Sequence, residues 1–141
     1  MSRPCPCGAK ATFDKHCLPI IEGKAKPETA ERLMRARFTA YSLGDVDFLI
    51  QTTAAAYREK LDADELQDYC DSIRCVSLKV LATEAGGAKD ETGIVKFHAS
   101  LMVNGKRTLH SEVSRFHRED GDWVYAEDPS EDEGGDEEDG E

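Results

Sequence analysis

The chain has 141 residues and contains no apolar run approaching the roughly 20 residues that a bilayer span requires. It also has no apolar h-region of the kind that marks a secretory leader. These absences predict a protein that stays out of the membrane and the secretory path, with cytoplasmic residence. Cysteine is scarce and odd in number, at five, which argues against a disulfide framework and suits a reducing compartment. Positive charge is missing from residues 127–141, where ten positions are Asp or Glu. Setting those ten aside leaves 19 acidic against 18 basic residues, so the formal net charge of −11 belongs to the tail. The remainder offers no large basic stripe, which excludes duplex DNA as the expected partner. A nucleophile elbow, a phosphate loop and a second metal cluster are all absent, and no catalytic residue is assigned.

What is present is concentrated at the start. Cys5 and Cys7 form one pair, His16 and Cys17 a second, with eight residues between them. Three sulfurs and one imidazole are a standard tetrahedral zinc set, with Zn–S about 2.3 Å and Zn–N about 2.0–2.1 Å. A hairpin-like loop carrying one pair on each arm would deliver them, with Gly8 in the turn. Free thiols on a mobile N-terminus and a small disulfide loop are the competing readings. Filling all four positions with protein closes the site. That predicts one structural Zn²⁺ and a docking role rather than zinc hydrolysis. One divalent cation against three thiolates leaves a net negative charge, which Arg3, Lys10 and Lys15 are placed to offset.

Downstream, Leu18–Gly23 is expected to pack the knuckle on the rest of the chain. Pro27 opens a helix at its first turn, and Ala30, Leu33, Met34, Arg37, Phe38 and Tyr41 recur at helical spacing. Gly44 stops that helix. Asp45 caps a second over 46–52, and Asp62 with Glu65 marks a third, with Leu66, Tyr69, Cys70 and Ile73 on one face. After Arg74 the period becomes two. Val76, Leu78, Val80 and Ala82 alternate with polar or outward positions. Val95, Phe97, Ala99, Leu101 and Val103 line a second strand, Asn104-Gly105 turns the chain, Leu109–Arg118 returns, and Asp120-Gly121 leads into Trp123-Val124-Tyr125. Helices first and an antiparallel meander second predict an α+β domain over 24–126, with helices on one face of a curved sheet. It follows the knuckle at 1–23 and precedes a disordered acidic tail at 127–141. The tail serves solubility or competes in cis for a basic surface.

Within this domain, His98, His110, Glu112, Asp47 and Tyr57 are candidates for acid–base chemistry. His98 alternates with Phe97 and Ala99 and is expected to face outward. His110, Glu112, Ser114 and Phe116 share one strand face and are the possible pocket. Glu112 beside His110 would make a tuned acid–base pair; a satisfied hydrogen-bonded pair inside the sheet is the competing reading. Cys70 continues an apolar stripe and reads as core, and Trp123 and Tyr125 read as core anchors.

Two resemblances add to this. Cys5-Pro6-Cys7-Gly8 with His16-Cys17 resembles the SEC-C motif, a zinc knuckle known from the tail of the bacterial preprotein-translocase motor ATPase. Its usual second glycine and one basic residue are replaced here within 9–14. Residues 33–41, Gly44-Asp45, 93–99, 112–116 and 120–125 resemble the bacterial YchJ-like family, over nearly everything from Cys5 to about Asp128. This likeness implies an N-terminal SEC-C knuckle joined to a nuclear-transport-factor-2-like, or cystatin-like, domain. The family pattern places a His and a Pro soon after the second helix, where this chain has Thr53-Ala54-Ala55-Ala56, and a Trp at the start of the first strand, where Cys75 and Val76 stand, so a pocket built there is altered.

The functional expectation is a zinc-binding cytosolic adaptor, non-catalytic and monomeric, whose knuckle docks on a protein or ribonucleoprotein. The likeness to the translocase tail, which binds an export chaperone, points that way. The alternative is a small-molecule enzyme or ligand-binding protein with its pocket around Glu112 and His110. The knuckle and the α+β core are expected to have separate sources of stability.

Overall fold

In the computed structural model, residues 4–127 are described. A short 3₁₀ turn, Phe13–Lys15, leads into α1 (Cys17–Ile21), followed by α2 (Ala30–Leu43), α3 (Val46–Gln51), α4 (Ala55–Arg58) and α5 (Ala63–Ser72). Four antiparallel strands follow in simple meander order: β1 (Ile73–Ala85), β2 (Thr92–Val103), β3 (Lys106–Glu119) and β4 (Asp122–Glu127). Glu127, expected in the tail, is the last residue of β4; the rest of the predicted acidic tail lies outside the described residues. Among the described residues no helix is long and apolar enough to cross a membrane.

The central helix is α2. Pro27 precedes it rather than opening it, because Thr29 supplies what a helix start needs, an acceptor for an orphan N–H. Its Oγ1 accepts from the Arg32 amide at 3.1 Å. The Gly86 carbonyl takes the Ala30 amide at 2.9 Å. The sequence suggests one buried stripe on α2, yet Ala36, Thr39 and Ala40 are buried too. Two faces are covered. Met34, Arg37, Phe38 and Tyr41 line a cavity on the sheet side, while Arg32 and Arg35 reach the knuckle's carbonyls. Each set follows helical i, i+3, i+4 spacing.

Asp45 and Asp62 cap α3 and α5 as expected, accepting from the amides of Phe48 and of Asp64 and Glu65. Ile73, read as the end of the α5 stripe, instead starts β1 with extended dihedrals. The Asn104-Gly105 turn pairs Val103 with Lys106, and Gly121 follows Asp120 in the next turn. β4 gains a further partner when the Tyr125 amide donates to Thr52 O at 2.7 Å and its carbonyl accepts from Ala54 at 2.8 Å.

Strand β1 departs from strict alternation. Register shifts fall between Cys75 and Ser77 and between Val80 and Ala82, so Val76 and Leu81 are extra residues with 40% and 39% exposure. The inward set is Ile73, Cys75, Leu78 and Val80 rather than the Val76-to-Ala82 alternation. Each bulge increases local twist, which curls the sheet around α2.

Knuckle and domain share one core. Cys5, Cys7, Phe13, Cys17 and Ile20 belong to the same buried cluster as Leu33, Phe38, Leu78, Phe97 and Trp123. Gly8, at φ +87°, sits so close to β1 that a Cβ there would lie 3.1 Å from Leu78 O. The expectation of separate stability gives way to a shared one, because the ligand loop is a wall of the hydrophobic core.

Gly93 in β2 permits a second close approach. An added Cβ would lie 2.5 Å from Gly86 Cα and 2.9 Å from Gly86 N. Both are backbone atoms, and the Gly86 carbonyl is committed to Ala30. Gly93→Ala should lower stability by about 1–3 kcal/mol, the range of overpacked sites. A urea midpoint equal to wild type would show that the hairpin moves aside.

Candidate functional sites: a Cys/His cluster and a cone cavity

The cluster is built by local backbone bonds. The Pro4–Thr12 bridge and the Cys5 amide donating to Ala11 O at 3.0 Å make a small hairpin that carries Cys5 and Cys7. The 3₁₀ turn then delivers His16, and the first turn of α1 delivers Cys17. Ligand atoms of Cys5, Cys7, His16 and Cys17 all lie within 4.8 Å of one another. His16 Nδ1 is 3.4 Å from both Cys7 Sγ and Cys17 Sγ, which identifies Nδ1 as the ring atom turned into the cluster. The predicted ligand set is therefore brought together and could hold a metal ion.

The thiols explain why a cation fits. A hydrogen bond from Cys17 brings Cys7 down to about 5, against the opposing effect of burial. The same bond, together with burial, pushes Cys17 up. Thiolate is the metal-ligating form of cysteine, so a cation bound among these three sulfurs would favour their ionisation. Thr39 Oγ1 is buried with no hydrogen-bond partner among the described residues, and its hydroxyl favours the Cys17 thiolate. Arg35 donates to Cys7 O at 2.9 Å and Arg32 to His16 O at 3.3 Å. These α2 cations support the ligand backbone, a role missed in the sequence, where basic residues of the loop were read as the compensating charge.

The second site is a cavity of about 290 Å³ between α2, α5 and the concave sheet. Its floor is apolar, from Met34, Phe38, Ile73, Phe97, Ala99 and Leu101. Its polar side is a chain on β3 and β4. His110 Nε2 lies 2.6 Å from Glu112 Oε1, Ser114 Oγ donates to Glu112 Oε2, and the Tyr125 hydroxyl reaches the same oxygen at 3.5 Å. Glu112's side chain is 15% exposed and that of His110 is 49%, so the carboxylate sits inside and the imidazole at the mouth.

Burial pushes the Glu112 carboxyl up, but the His110 and Ser114 bonds and the charge of Arg37 outweigh it and hold it below its ordinary value. Arg37 is only 6% exposed. Its Nη1 donates to Leu49 O at 2.9 Å and Thr52 Oγ1 at 2.7 Å, and its guanidinium stacks 4.7 Å from the Tyr125 ring centre. Burial raises the Tyr41 and Tyr69 hydroxyls. Burial, then Cys70, pushes the Cys75 thiol up to about 11, so Cys75 lines the cavity as a neutral thiol.

Of the expected pocket residues, His110, Glu112 and Ser114 line the cavity. Phe116 does not: it is fully buried beneath it, edge-on to Tyr125 at 5.8 Å. His98 is on the opposite sheet face, paired with Lys79 and Ser111, and Asp47 is exposed on α3. Tyr57 lines a separate groove, with the Lys60 ammonium 5.5 Å from its ring centre. Cys70 is buried, and Trp123 is an anchor whose Nε1 donates to Glu28 O at 3.1 Å. Arg37, Tyr41, Tyr69 and Tyr125 were not read as site residues. The available signal was an arginine inside an otherwise apolar stripe, since arginine is rarely buried without partners.

With the geometry in hand, the comparisons locate the chain. The family model described as the YchJ middle NTF2-like domain matches residues 29–128. The chain belongs to the YchJ-like family. Its relatives include a UPF0225 protein of Streptomyces coelicolor, 40% identical over 125 residues, covering 88% of this chain and 93% of that one. A UPF0225 protein of Geobacter sulfurreducens is 33% identical over 127 residues, covering 90% and 79%. The solution structure of a SEC-C motif containing protein from Rhodopseudomonas palustris superposes with a TM-score of 0.81 at 30% identity, covering 88% and 95%. A SEC-C motif containing protein from Psychrobacter arcticus shares the fold, with a TM-score of 0.75 at 22% identity over 87% and 80%. Fold class and family thus agree with the sequence reading, and two of these similar structures are described as SEC-C motif containing proteins.

Proposed function

We propose that this protein is a cytoplasmic small-molecule-binding domain, stapled by one structural zinc ion, whose cavity holds a proton-transfer pair. The observation that carries it is Glu112, a carboxylate only 15% exposed in a cavity with an apolar floor, hydrogen-bonded to His110 at the mouth. A buried charge is expensive, and titratable groups perturbed by specific partners in a concave site are the usual mark of function. Glu112 accepts a proton or a hydrogen bond from a bound ligand, and His110 relays protons between it and solvent. Zinc is the ion this donor set favours. A tetrahedron with bonds of about 2.3 Å to sulfur and 2.0 Å to nitrogen separates S and N by about 3.5 Å, close to the 3.4 Å found here. Its four positions are filled by Cys5, Cys7, His16 and Cys17, so the ion holds structure and leaves the chemistry to the cavity.

The test is a fragment screen by nuclear magnetic resonance on the labelled, metal-loaded chain. Small ring compounds are expected to shift Ala99, Leu101 and Tyr41 saturably. Ala99→Leu should fill the cavity, keep the thermal midpoint within about 4 °C, roughly 1 kcal/mol, and abolish those shifts. Shifts that persist in Ala99→Leu, or that map to the outer sheet face, would refute the assignment.

Docking through the knuckle is a second reading, favoured by the exposed rim of Gly8, Lys10, Asp14 and Lys15 around the buried sulfurs. Because the ligand cysteines are also core residues, Lys10→Glu/Lys15→Glu is the better probe. A protein or ribonucleoprotein captured by wild type and lost in this variant supports docking; equal capture opposes it.

A further inference from the structure

We infer that the cavity takes an uncharged compound of one or two rings bearing a hydroxyl group, which donates its hydrogen bond to Glu112 Oε1. This rests on the proposed ligand-binding role and names the ligand class.

Size comes first. A cavity of 150 Å³ lined by apolar side chains holds one benzene, so about 290 Å³ accommodates roughly two fused rings. Shape and chemistry agree. The floor of Met34, Phe38, Phe97 and Leu101 presents apolar and aromatic surface, which favours a ring over a flexible polar chain.

Charge decides the next step. Glu112 is ionised, and Arg37 is buried, with its charge acting on that carboxylate. The carboxylate is thus already met by His110 at 2.6 Å and by Ser114, with the Arg37 charge acting on it from farther off. An anionic ligand would bring a second negative charge beside Glu112, and a cationic one would lose its hydration to meet a carboxylate already partnered. An uncharged ligand meets neither cost.

Hydrogen bonding then fixes the polar group. A carboxylate offers about four acceptor positions. Among the described residues, Oε2 receives Ser114 and Tyr125, while Oε1 receives His110. Oε1 therefore has room for one more donor, and an acceptor-only group such as a ketone cannot use it. A hydroxyl can, and its bond to a charged acceptor is about twice as strong as a neutral pair.

The experiment compares three probes on the metal-loaded chain at neutral pH: 2-naphthol, naphthalene-2-carboxylate and 2-naphthylmethylamine. Binding is read from the shifts of Met34, Ala99 and Leu101 and from naphthol fluorescence. The expected result is saturable binding of 2-naphthol, at least tenfold tighter than either charged probe. Glu112→Gln should weaken it about tenfold. Glu112→Asp, which keeps the charge but withdraws the carboxylate oxygens by one methylene, serves if Glu112→Gln does not fold and should likewise weaken 2-naphthol binding; unchanged binding in either variant overturns the hydrogen bond to Oε1. Equal or tighter binding of a charged probe at the same residues overturns the ligand class while leaving the cavity a binding site. Failure of all three probes to touch cavity residues overturns both.

Discussion

Stripping the metal should melt the cavity together with the knuckle. Cys5, Cys7 and Cys17 are all buried within the cluster that contains Leu33, Phe38 and Leu78. The ligand loop is braced against the sheet at Leu78 O and held to α2 by Arg32 and Arg35. Without the ion, three sulfurs and an imidazole in close contact have no common partner, and the loop carrying them loses its reason to stay closed. Structural zinc contributes on the order of 10 kcal/mol to small metal-dependent folds. Part of that is returned here by a core that persists in α2 and the sheet. A net loss of about 4 kcal/mol translates into a drop of about 15 °C in the thermal midpoint of a domain this size. Cys7→Ser should reproduce the drop without a chelator, because a hydroxyl is a poor zinc ligand and this position has no exposure to solvent. Calorimetry with and without chelator, followed by amide spectra of β2, gives the answer. One transition moving as a whole is expected. A small early transition confined to residues 4–23, with β2 amides unchanged, would show that the core stands alone.

The same coupling explains what the sequence made legible. The ligands were readable because soft donors at C-x-C and H-C spacing have few other uses in a chain with five cysteines. The hairpin turns were readable because Asn-Gly and Asp-Gly dipeptides carry their own backbone preference. The bulges were hidden. Val76 and Leu81 are apolar residues in an apolar strand, and a period-two reading has no means of seeing that one residue at each site opposes none. The second buried face of α2 was equally hidden, since Ala36 and Thr39 are small and neutral and acquire meaning only when the knuckle lies over them. In the cavity, His110, Glu112 and Ser114 followed from alternation along one strand. Phe116 obeys the same alternation and still falls outside, because it is fully buried with the Tyr125 ring edge-on against it at 5.8 Å. The tyrosines come from α2, α5 and β4, elements far apart in the chain, and their convergence is a property of the fold alone.

Arg37→Met should be the most damaging single substitution on the cavity side. The stem of methionine replaces most of the buried volume, so the loss is one of charge and hydrogen bonds rather than of packing. Thr52 Oγ1 loses its donor, Leu49 O keeps Thr53 Oγ1 but loses the guanidinium, the Tyr125 ring loses its cation, and Glu112 keeps a buried negative charge with one fewer positive neighbour. Removing one member of such a buried set costs about 3–5 kcal/mol. The pH dependence carries the signature. In wild type the Glu112 carboxyl lies below its ordinary value of 4.5. Its ionised form therefore contributes stability that is present above that value and lost as the pH falls through the lower folded-state value. Without Arg37 the depression shrinks, because burial still pushes the carboxyl up while only His110 and Ser114 pull it down. The acid limb of the stability profile should flatten accordingly. A double-mutant cycle isolates the effect: Arg37→Met, Glu112→Gln and the pair together, each followed by urea unfolding between pH 4 and 7. At pH 7 the double variant is expected to be more stable than the sum of the single losses implies, by roughly 0.5–3 kcal/mol, the range for groups coupled in one network. Strict additivity would mean that Arg37 acts only as a scaffold for the 49–53 turn. The carboxylate would then owe its ionisation to His110 and Ser114 alone, and the charge balance that favours an uncharged ligand would have to be redrawn around those two residues.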